Sequence, residues 1–329
     1  MHRSAAHKKW IGIAPLFDPE QGSTIAKPLS SGAGWWAGAV SALYDEATEQ
    51  FYLYYRLRKP RALGRGVACR IEQSKDGVHF EPVWSATQED IVTPSMERAA
   101  LVKTLEGTWR LYISFVDPAD SRWRIDMIEA DAPERFDVSR RTKIFTAGDV
   151  GVEGVKDPYV VLVGGMYYML ISYAPTPRSV SQNQKAEMHA TADVYNTGLT
   201  KSHTALAVSS DGIRFEWMGD VFTPPDEGWD AYAGRLGCIL YCPPVFNVFY
   251  DGGADVRENY EEKTGLAISF DLRHYDRVTT SGPILTSPHA SGSLRYMDAV
   301  PFEDKIYYYY EYARPDGSHE VRMSRVWWG

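Results

Sequence analysis

Phe51-Tyr-Leu-Tyr-Tyr55 is built of residues that favour strands, and its pattern returns four times. The other copies are Trp109-Arg-Leu-Tyr-Ile-Ser-Phe115, Met166-Tyr-Tyr-Met-Leu-Ile-Ser-Tyr173, Val245-Phe-Asn-Val-Phe-Tyr250 and Ile306-Tyr-Tyr-Tyr-Tyr310. A long, regular period is the mark of a repeat architecture. With Tyr54, Tyr112, Leu170, Val248 and Tyr308 as centres, the spacings are 58, 58, 78 and 60 residues. Each repeat has the length of a small antiparallel sheet. Five such sheets set radially about an axis predict an all-β fold, a five-bladed β-propeller.

A second periodic signal runs in step with the first. Ser74-Lys-Asp-Gly-Val-His-Phe-Glu81, Ser209-Ser-Asp-Gly-Ile-Arg-Phe-Glu216 and Ser269-Phe-Asp-Leu-Arg-His-Tyr-Asp276 share one turn pattern. A shifted copy stands at Ala130-Asp131 and Phe136-Asp137. Asp bonds its own backbone in such turns, and Gly takes positive φ without steric cost. The aromatic that follows is expected to pin an outer strand against the neighbouring blade.

These periods divide the 329 residues into a single domain of five blades, at about 34–88, 96–147, 154–224, 233–284 and 293–326. Segment 1–33 is a lead-in. Within it, Trp10-Ile-Gly-Ile-Ala-Pro-Leu-Phe17 reads as a strand that pairs with the last blade and closes the ring. The 78-residue interval gives the third blade a polar insertion, Pro175 to His189 and then Asp193 to Thr200. A long loop of this kind is usually functional, and it reads as a lid or an inter-subunit arm.

Bulk properties exclude several classes. A net charge of −8 without a long basic run argues against nucleic acid and anionic membranes as partners. Three cysteines, Cys69, Cys238 and Cys242, do not make a disulfide framework. No apolar segment follows the basic start Met1-His-Arg-Ser-Ala-Ala-His-Lys-Lys-Trp10, so a cytoplasmic location is expected. The 21 Tyr, 10 Trp and 12 Phe suit strands and also suit carbohydrate sites.

In a propeller the residues that open each first strand face the axial pocket. Here they are Gly34-Trp35-Trp36-Ala-Gly38, Ser95-Met96-Glu97-Arg98, Glu153-Gly-Val-Lys156-Asp157-Pro158, Trp229-Asp230-Ala-Tyr232-Ala-Gly-Arg235 and Ser293-Leu-Arg295-Tyr296-Met-Asp298. Four of these five segments carry charge. Charges gathered at one point need partners or ligands, because desolvating them alone is costly. Paired carboxylates between aromatic walls suit glycosidic bond cleavage, in which one donates a proton and the other activates water or attacks. Asp157 and Glu97 are the catalytic candidates, with Asp298 third. Arg98, Lys156, Arg235 and Arg295 are expected to bind an anionic group or orient the carboxylates. Trp36, Trp229 and Tyr232 are expected to form the sugar platform, with Asp230 beside them and His189 on the covering loop.

Other chemistry finds no support. There is no phosphate-cradling glycine loop, no dinucleotide fingerprint, no HExxH, no CxxC and no Gly-x-Ser-x-Gly. His203, His274, His289 and His319 show no metal-ligand spacing. No metal and no cofactor are expected.

The five repeats, the Ser-x-Asp-Gly-x-x-Phe turns and Lys156-Asp157-Pro158 resemble the five-bladed propeller glycosidases. That superfamily includes glycoside hydrolase families 43, 32, 62, 117 and 130, and the resemblance spans about residues 34–326. It implies acids on the inner strands of successive blades, and Asp157 matches the Asp-Pro that begins one of them. It also implies an Asp opening blade 1, where Trp36 to Gly38 stand, and an acid opening blade 4, where Arg235 stands. The extra cations are more similar to an anion-handling variant. The expected function is hydrolysis of a glycoside or oligosaccharide, including one with an acidic sugar. Phosphorolysis with phosphate in the basic pocket is the enzyme alternative, and a non-catalytic carbohydrate-binding propeller is the other. A homo-oligomer is compatible with either.

Overall fold

Twenty strands account for about half of the residues in the computed structural model, which describes residues 12–328. β1 is Ser23–Ala26. Then come β2 (Trp36–Asp45), β3 (Gln50–Arg58), β4 (Gly66–Ser74) and β5 (Glu81–Thr87). A second group is β6 (Met96–Lys103), β7 (Trp109–Val116), β8 (Trp123–Ala130) and β9 (Thr142–Phe145). A third is β10 (Gly154–Val163), β11 (Met166–Ala174), β12 (His203–Ser209) and β13 (Glu216–Phe222). A fourth is β14 (Ala233–Cys242), β15 (Val245–Gly253), β16 (Lys263–Ser269) and β17 (Asp276–Arg277). The last is β18 (Leu294–Phe302), β19 (Lys305–Ala313) and β20 (His319–Trp327).

The fold is all-β. The second, third and fourth groups are separate four-stranded antiparallel meanders. The first and last groups share one eight-stranded sheet, but a single parallel pair, Trp36 with His319, joins them. The first strands of successive groups lie side by side: β2 with β6, β6 with β10, β10 with β14, β14 with β18, and β18 with β2.

The apolar cores fill the seams between groups. Tyr52, Tyr54 and Ile71 meet Leu101, Leu111 and Ile113. Tyr112 and Met127 meet Met169 and Ile171. Leu170 and Leu206 meet Val248 and Tyr250. Cys238 and Phe249 meet Ile306 and Tyr308. Tyr307 and Tyr309 meet Phe51 and Leu53. Each large apolar side chain buried this way contributes roughly 1.5–3 kcal/mol. The aromatic strands β3, β7, β11, β15 and β19 are buried on both faces because each sheet is sandwiched between two others.

The Ser-x-Asp turns form as the sequence predicts. Ser74 Oγ accepts from Gly77 N at 3.0 Å, and Asp76 Oδ1 accepts from Val78 N and His79 N, each at 2.8 Å. Ser209 and Asp211 repeat this arrangement. Gly77 has φ 71° and packs on Tyr307 and Tyr309 of the last group, and Tyr309 Oη donates to Gly77 O at 2.8 Å. A Cβ there would meet those rings, so the turn needs glycine for packing as well as for φ.

One sequence expectation is corrected. The described part of the Trp10–Phe17 segment does not form a closing strand. Residues 10 and 11 lie outside the described residues, and 12–17 carry no strand. Pro15 has no N–H to give a ladder, and this segment is tied by side chains instead. Asn247 bonds Ala14 N and Gly12 O, and Tyr308 Oη donates to Pro15 O. The strand that completes the last group is β1, antiparallel to β20, with Ser23 opposite Met323 and Ala26 opposite Val321. No helix among the described residues is long and apolar enough to cross a membrane.

Candidate active site

Every first strand breaks register at the same level. The irregularities fall between Gly38 and Ser41, Met96 and Ala99, Lys156 and Tyr159, Leu236 and Cys238, and Arg295 and Asp298. A bulge turns a side chain out of the strand's alternation and re-aims it. Ala39, Asp157 and Tyr296 sit at three of these bulges with φ of 57°, 52° and 51°. Such conformations cost energy in non-glycine residues and persist only where the surroundings enforce them. Asp157 therefore stands inside β10 at a strained bulge, and not in a turn that precedes the strand. Glu97 takes the same register in β6.

Around these bulges lies a buried charged cluster. Arg56 donates Nε to Glu97 Oε2 at 3.0 Å, and Arg58 Nη1 lies 3.5 Å from Glu97 Oε1. Lys156 Nζ is 3.0 Å from Asp157 Oδ2, which also accepts from Tyr296 Oη at 3.2 Å. Arg295 links two acids: Nη1 donates to Glu262 at 2.6 Å and Nη2 to Glu311 at 2.7 Å. Arg235 donates to Glu262 at 2.6 Å, to Ser202 Oγ at 2.8 Å, and to Asn259 Oδ1. Glu311 also accepts from Ala39 N at 3.1 Å and bonds His319 Nδ1 at 2.7 Å.

Electrostatics separate the carboxyl groups. Burial alone would raise Glu97, but Arg56, Lys156, Arg58 and Arg295 outweigh it and hold it below the ordinary range. Burial is likewise overcome at Glu262, where Arg235 and Arg295 bring the carboxyl down to about 2. Glu311 is held well below the ordinary range by Arg295 and Arg56 against the effect of burial. Asp251 moves the other way. Burial first, and then the nearby Glu262 charge, push it up to about 7. Arg56, Arg58, Lys156, Arg235 and Arg295 stand against Glu97, Asp157, Asp251, Glu262 and Glu311, five cations against five carboxyl groups, and all are buried.

The structure gathers Glu97, Asp157, Lys156, Arg235, Arg295 and Trp36 at this cluster, and leaves the other sequence candidates elsewhere. Asp298 lies directly after the bulge of β18, outside the charged cluster. There it accepts from Ala42 N at 2.7 Å and lines a cleft of about 280 Å³ with Tyr44, Lys103 and Tyr159. Burial raises it to about 6. Arg98 spans the axis, donating to Val40 O and Met297 O, each at 3.0 Å. It braces three groups of strands and touches Asp157 only through its backbone N–H, at 3.3 Å.

The expected sugar platform is not built. Trp36 has His319 stacked on it at 4.5 Å and the Arg58 and Arg295 guanidinium carbons at 4.3 and 4.9 Å, so its faces are taken. Trp229 packs on Tyr250 and donates Nε1 to Thr279 O at 2.8 Å. The neighbouring Asp230 is a structural acceptor for Tyr250 Oη and Arg277 Nε. Tyr232 donates its hydroxyl to Tyr195 O at 2.7 Å. Loop geometry explains these displacements: residues 229–232 precede β14 and sit beside its sheet, off the axis.

The insertion of the third group lies across the mouth. Its helix, Gln182–Ala190, is fastened where His189 Nε2 and Lys185 Nζ meet Glu153 at 2.7 and 3.0 Å. Asp193 is 3.2 Å from Arg65 Nη1 and accepts from Tyr260 Oη at 2.6 Å. The Tyr195 ring lies 5.0 Å from Lys156 Nζ and 5.5 Å from the Arg235 guanidinium carbon. Segments from three groups thus close over the charged cluster.

Sequence reasoning missed Arg56, Arg58, Asp251, Glu262 and Glu311. A signal for three of them existed. Arg56, Asp251 and Glu311 each follow directly on an aromatic run, after Tyr55, Tyr250 and Tyr310. They pair with Gly38, Arg235 and Arg295 in the ladders, so all three stand at the bulge level. Among the described residues, no three His, Cys, Asp or Glu side chains form a group suited to holding a metal ion.

The architecture matches known carbohydrate-active enzymes. The β-1,2-mannobiose phosphorylase from Listeria innocua superposes with a TM-score of 0.61 at 16% identity, covering 92% of this chain and 94% of that one. A thermostable family-43 glycoside hydrolase gives 0.64 at 14% identity, with 92% of each chain covered. A structure described under the family 130 mannoside phosphorylases that contain glycoside hydrolases gives 0.56 at 14%, covering 98% and 92%. The chain therefore shares the fold of the glycoside hydrolases and phosphorylases of families 43 and 130. No family as a whole matches the sequence, and no curated protein matches it.

Proposed function

We propose that this protein is a five-bladed propeller enzyme that cleaves a glycosidic bond at the axial cluster. The cyclic contacts of the five first strands support the blade count, with β1 as the fourth strand of the last blade and 1–329 as one domain. The observation that carries the functional reading is the equivalence of Glu97 and Asp157. They occupy the same bulge register in adjacent blades and face one water-poor, charged cluster.

Glu97, ion-paired with Arg56 and Arg58, and Asp157, ion-paired with Lys156 and bonded by Tyr296, form the acid–base pair. In hydrolysis one carboxyl gives its proton to the glycosidic oxygen as the C–O bond breaks, and the other takes a proton from the water that attacks the anomeric carbon. The cluster is buried, so the insertion must lift to admit a sugar and close to exclude bulk water.

The five cations buried at the cluster favour phosphorolysis as a second reading, with phosphate replacing water as the nucleophile. Screening purified protein against aryl glycosides and natural oligosaccharides, each with and without phosphate, separates these readings. Cleavage without phosphate is expected. Cleavage only with phosphate makes the protein a phosphorylase. Silence across the panel, with saccharide binding retained, makes it a binding propeller.

A further inference from the structure

Buried side-chain donors without an acceptor collect around the axial cluster. Arg58 Nε and Nη1, Arg56 Nη1 and Trp36 Nε1 find no hydrogen-bond acceptor within the protein, and neither do Asn259 Nδ2 and Trp123 Nε1. All six belong to residues at most 4% exposed. Leaving one such donor unsatisfied is costly, and native interiors hold few of them. Six in one region, all donors, describe a surface made to meet acceptors.

Their distribution says more about the ligand. Arg58 is sandwiched between Trp36 and Tyr260, its guanidinium carbon 4.3 and 3.8 Å from the ring centres. Stacking fixes the plane of the guanidinium while its edge stays free to donate. Arg56 and Trp36 stand beside it, with Arg56 on Glu97 and Trp36 under Arg58 and Arg295. This side of the cluster is the most cationic. Asn259 belongs with Arg235 in the fourth group, and Trp123 stands by Lys156, 5.3 Å from Nζ. The free donors therefore come from three separate groups of strands, and a ligand that met them all would present acceptors in several directions. A sugar ring offers this chemistry, with hydroxyl acceptors for Asn259 and Trp123 and a negative group for Arg58.

We propose that the substrate is an anionic glycoside whose oxyanion is carried by the sugar, most simply a uronic acid carboxylate, seated against Arg58, Arg56 and Trp36 Nε1. The inference rests on the glycoside-cleaving reading and adds the chemical class of the sugar. It assigns Arg58 as the residue that selects charge, by a bond to the substrate in addition to its contact with Glu97.

The test compares matched aryl glycosides and aryl uronosides of the same sugar configuration, with and without inorganic phosphate. It adds calorimetric binding of the corresponding free sugars and uronic acids. The expected result is a kcat/KM for a uronoside about 100-fold or more above its neutral counterpart. Arg58→Met should abolish that preference, so that the ratio of uronoside to neutral kcat/KM falls to near unity even as both rates drop with the loss of the charge beside Glu97. Arg58→Lys, which keeps the charge but not the planar stack, should retain part of the preference and guards against a folding defect in the first variant. A neutral glycoside turned over as well as its uronoside overturns the anion inference and leaves glycosidic cleavage standing. Cleavage of neutral glycosides only when phosphate is present also overturns it, since the oxyanion is then a free co-substrate. If nothing is cleaved, the enzyme reading fails, and calorimetry still decides the inference. Uronic acids binding more tightly than neutral sugars, with the gain lost in Arg58→Met, sustain it; equal binding overturns it.

Discussion

The Glu311 carboxylate fills the space above Gly38 where a side chain on β2 would stand, and a Cβ built at Gly38 would overlap it. The first strand of the first group lacks an acid at its bulge, and the second strand of the last group supplies one at that place. Arg295, Arg56, His319 and the Ala39 N–H hold it there. Gly38→Ala should therefore destabilise the fold by about 1–3 kcal/mol, the usual range for overpacking a fixed interior. Gly38→Asp combined with Glu311→Ala returns the carboxylate to β2 and should be more stable than Gly38→Asp alone. Chemical denaturation of the variants measures both. A Gly38→Ala protein as stable as the parent would show that Glu311 swings aside freely.

Asp157→Asn and Glu97→Gln remove the proposed acid and base with little change in shape. Each is expected to lower kcat by about 10²–10⁴-fold while substrate affinity changes only a few-fold. Steady-state kinetics and equilibrium binding on the substrate identified by screening give the two numbers. An unchanged kcat removes that residue from the mechanism.

Asp251 gives a pH dependence of stability with a definite sign. Its carboxyl stays protonated up to about pH 7 in the folded protein, because of burial and the Glu262 charge. In the unfolded chain it ionises near 4. Between those values the folded state binds the extra proton, so this group's contribution to stability falls as pH rises. Asp251→Asn stays neutral throughout and can still accept from Tyr296 N with its amide oxygen. The variant should match the parent near pH 4 and exceed it at pH 8, by up to about 4 kcal/mol. Unfolding free energies across that range decide the matter, and parallel curves for the two proteins would refute it.

Asp193 fastens the insertion to two distant loops through Arg65 and Tyr260. Asp193→Ala should cost the closed insertion about 1–3 kcal/mol, the loss expected when a buried charged acceptor is removed. Proteolytic cutting between residues 175 and 200 should speed up while the global unfolding midpoint stays nearly unchanged. A cutting rate equal to the parent's would mean that Met188, Val194 and Tyr195, packed in their own apolar cluster, hold the insertion without help.

Repeating local features were legible in the sequence, and features made by convergence were not. The aromatic runs fall inside β3, β7, β11, β15 and β19, and the Asp turns form where their pattern appears. Local hydrogen bonding and strand preference decide both, so a short window of residues carries the information. Glu97, Asp157, Lys156 and Arg295 were found because they lie on first strands. Glu262 precedes β16, and nothing in its neighbours reveals that Arg235 and Arg295 will enclose it. Trp229 misled for the complementary reason. A tryptophan beside an aspartate suits a sugar site, but Gly252 and Gly265 leave the space that draws the ring against Tyr250 instead. The closing strand was misplaced because Trp10–Phe17 is the more apolar segment, whereas Ser23–Ala26 is chosen by the free edge of β20.

The pairing of β1 with β20 also sets an order of events during synthesis. Arg295, Glu311 and His319 all belong to the last sheet, whose fourth strand is among the earliest residues made. Ser23 must wait for Met323, so the last sheet is completed by a pairing that spans almost the whole chain. Long-range pairing of this kind slows folding and leaves nascent strand edges exposed meanwhile. Until it happens, Arg56 and Glu97 have been synthesised without the carboxylate and guanidinium that complete their cluster. The charged cluster can thus be completed only after the last sheet has been synthesised.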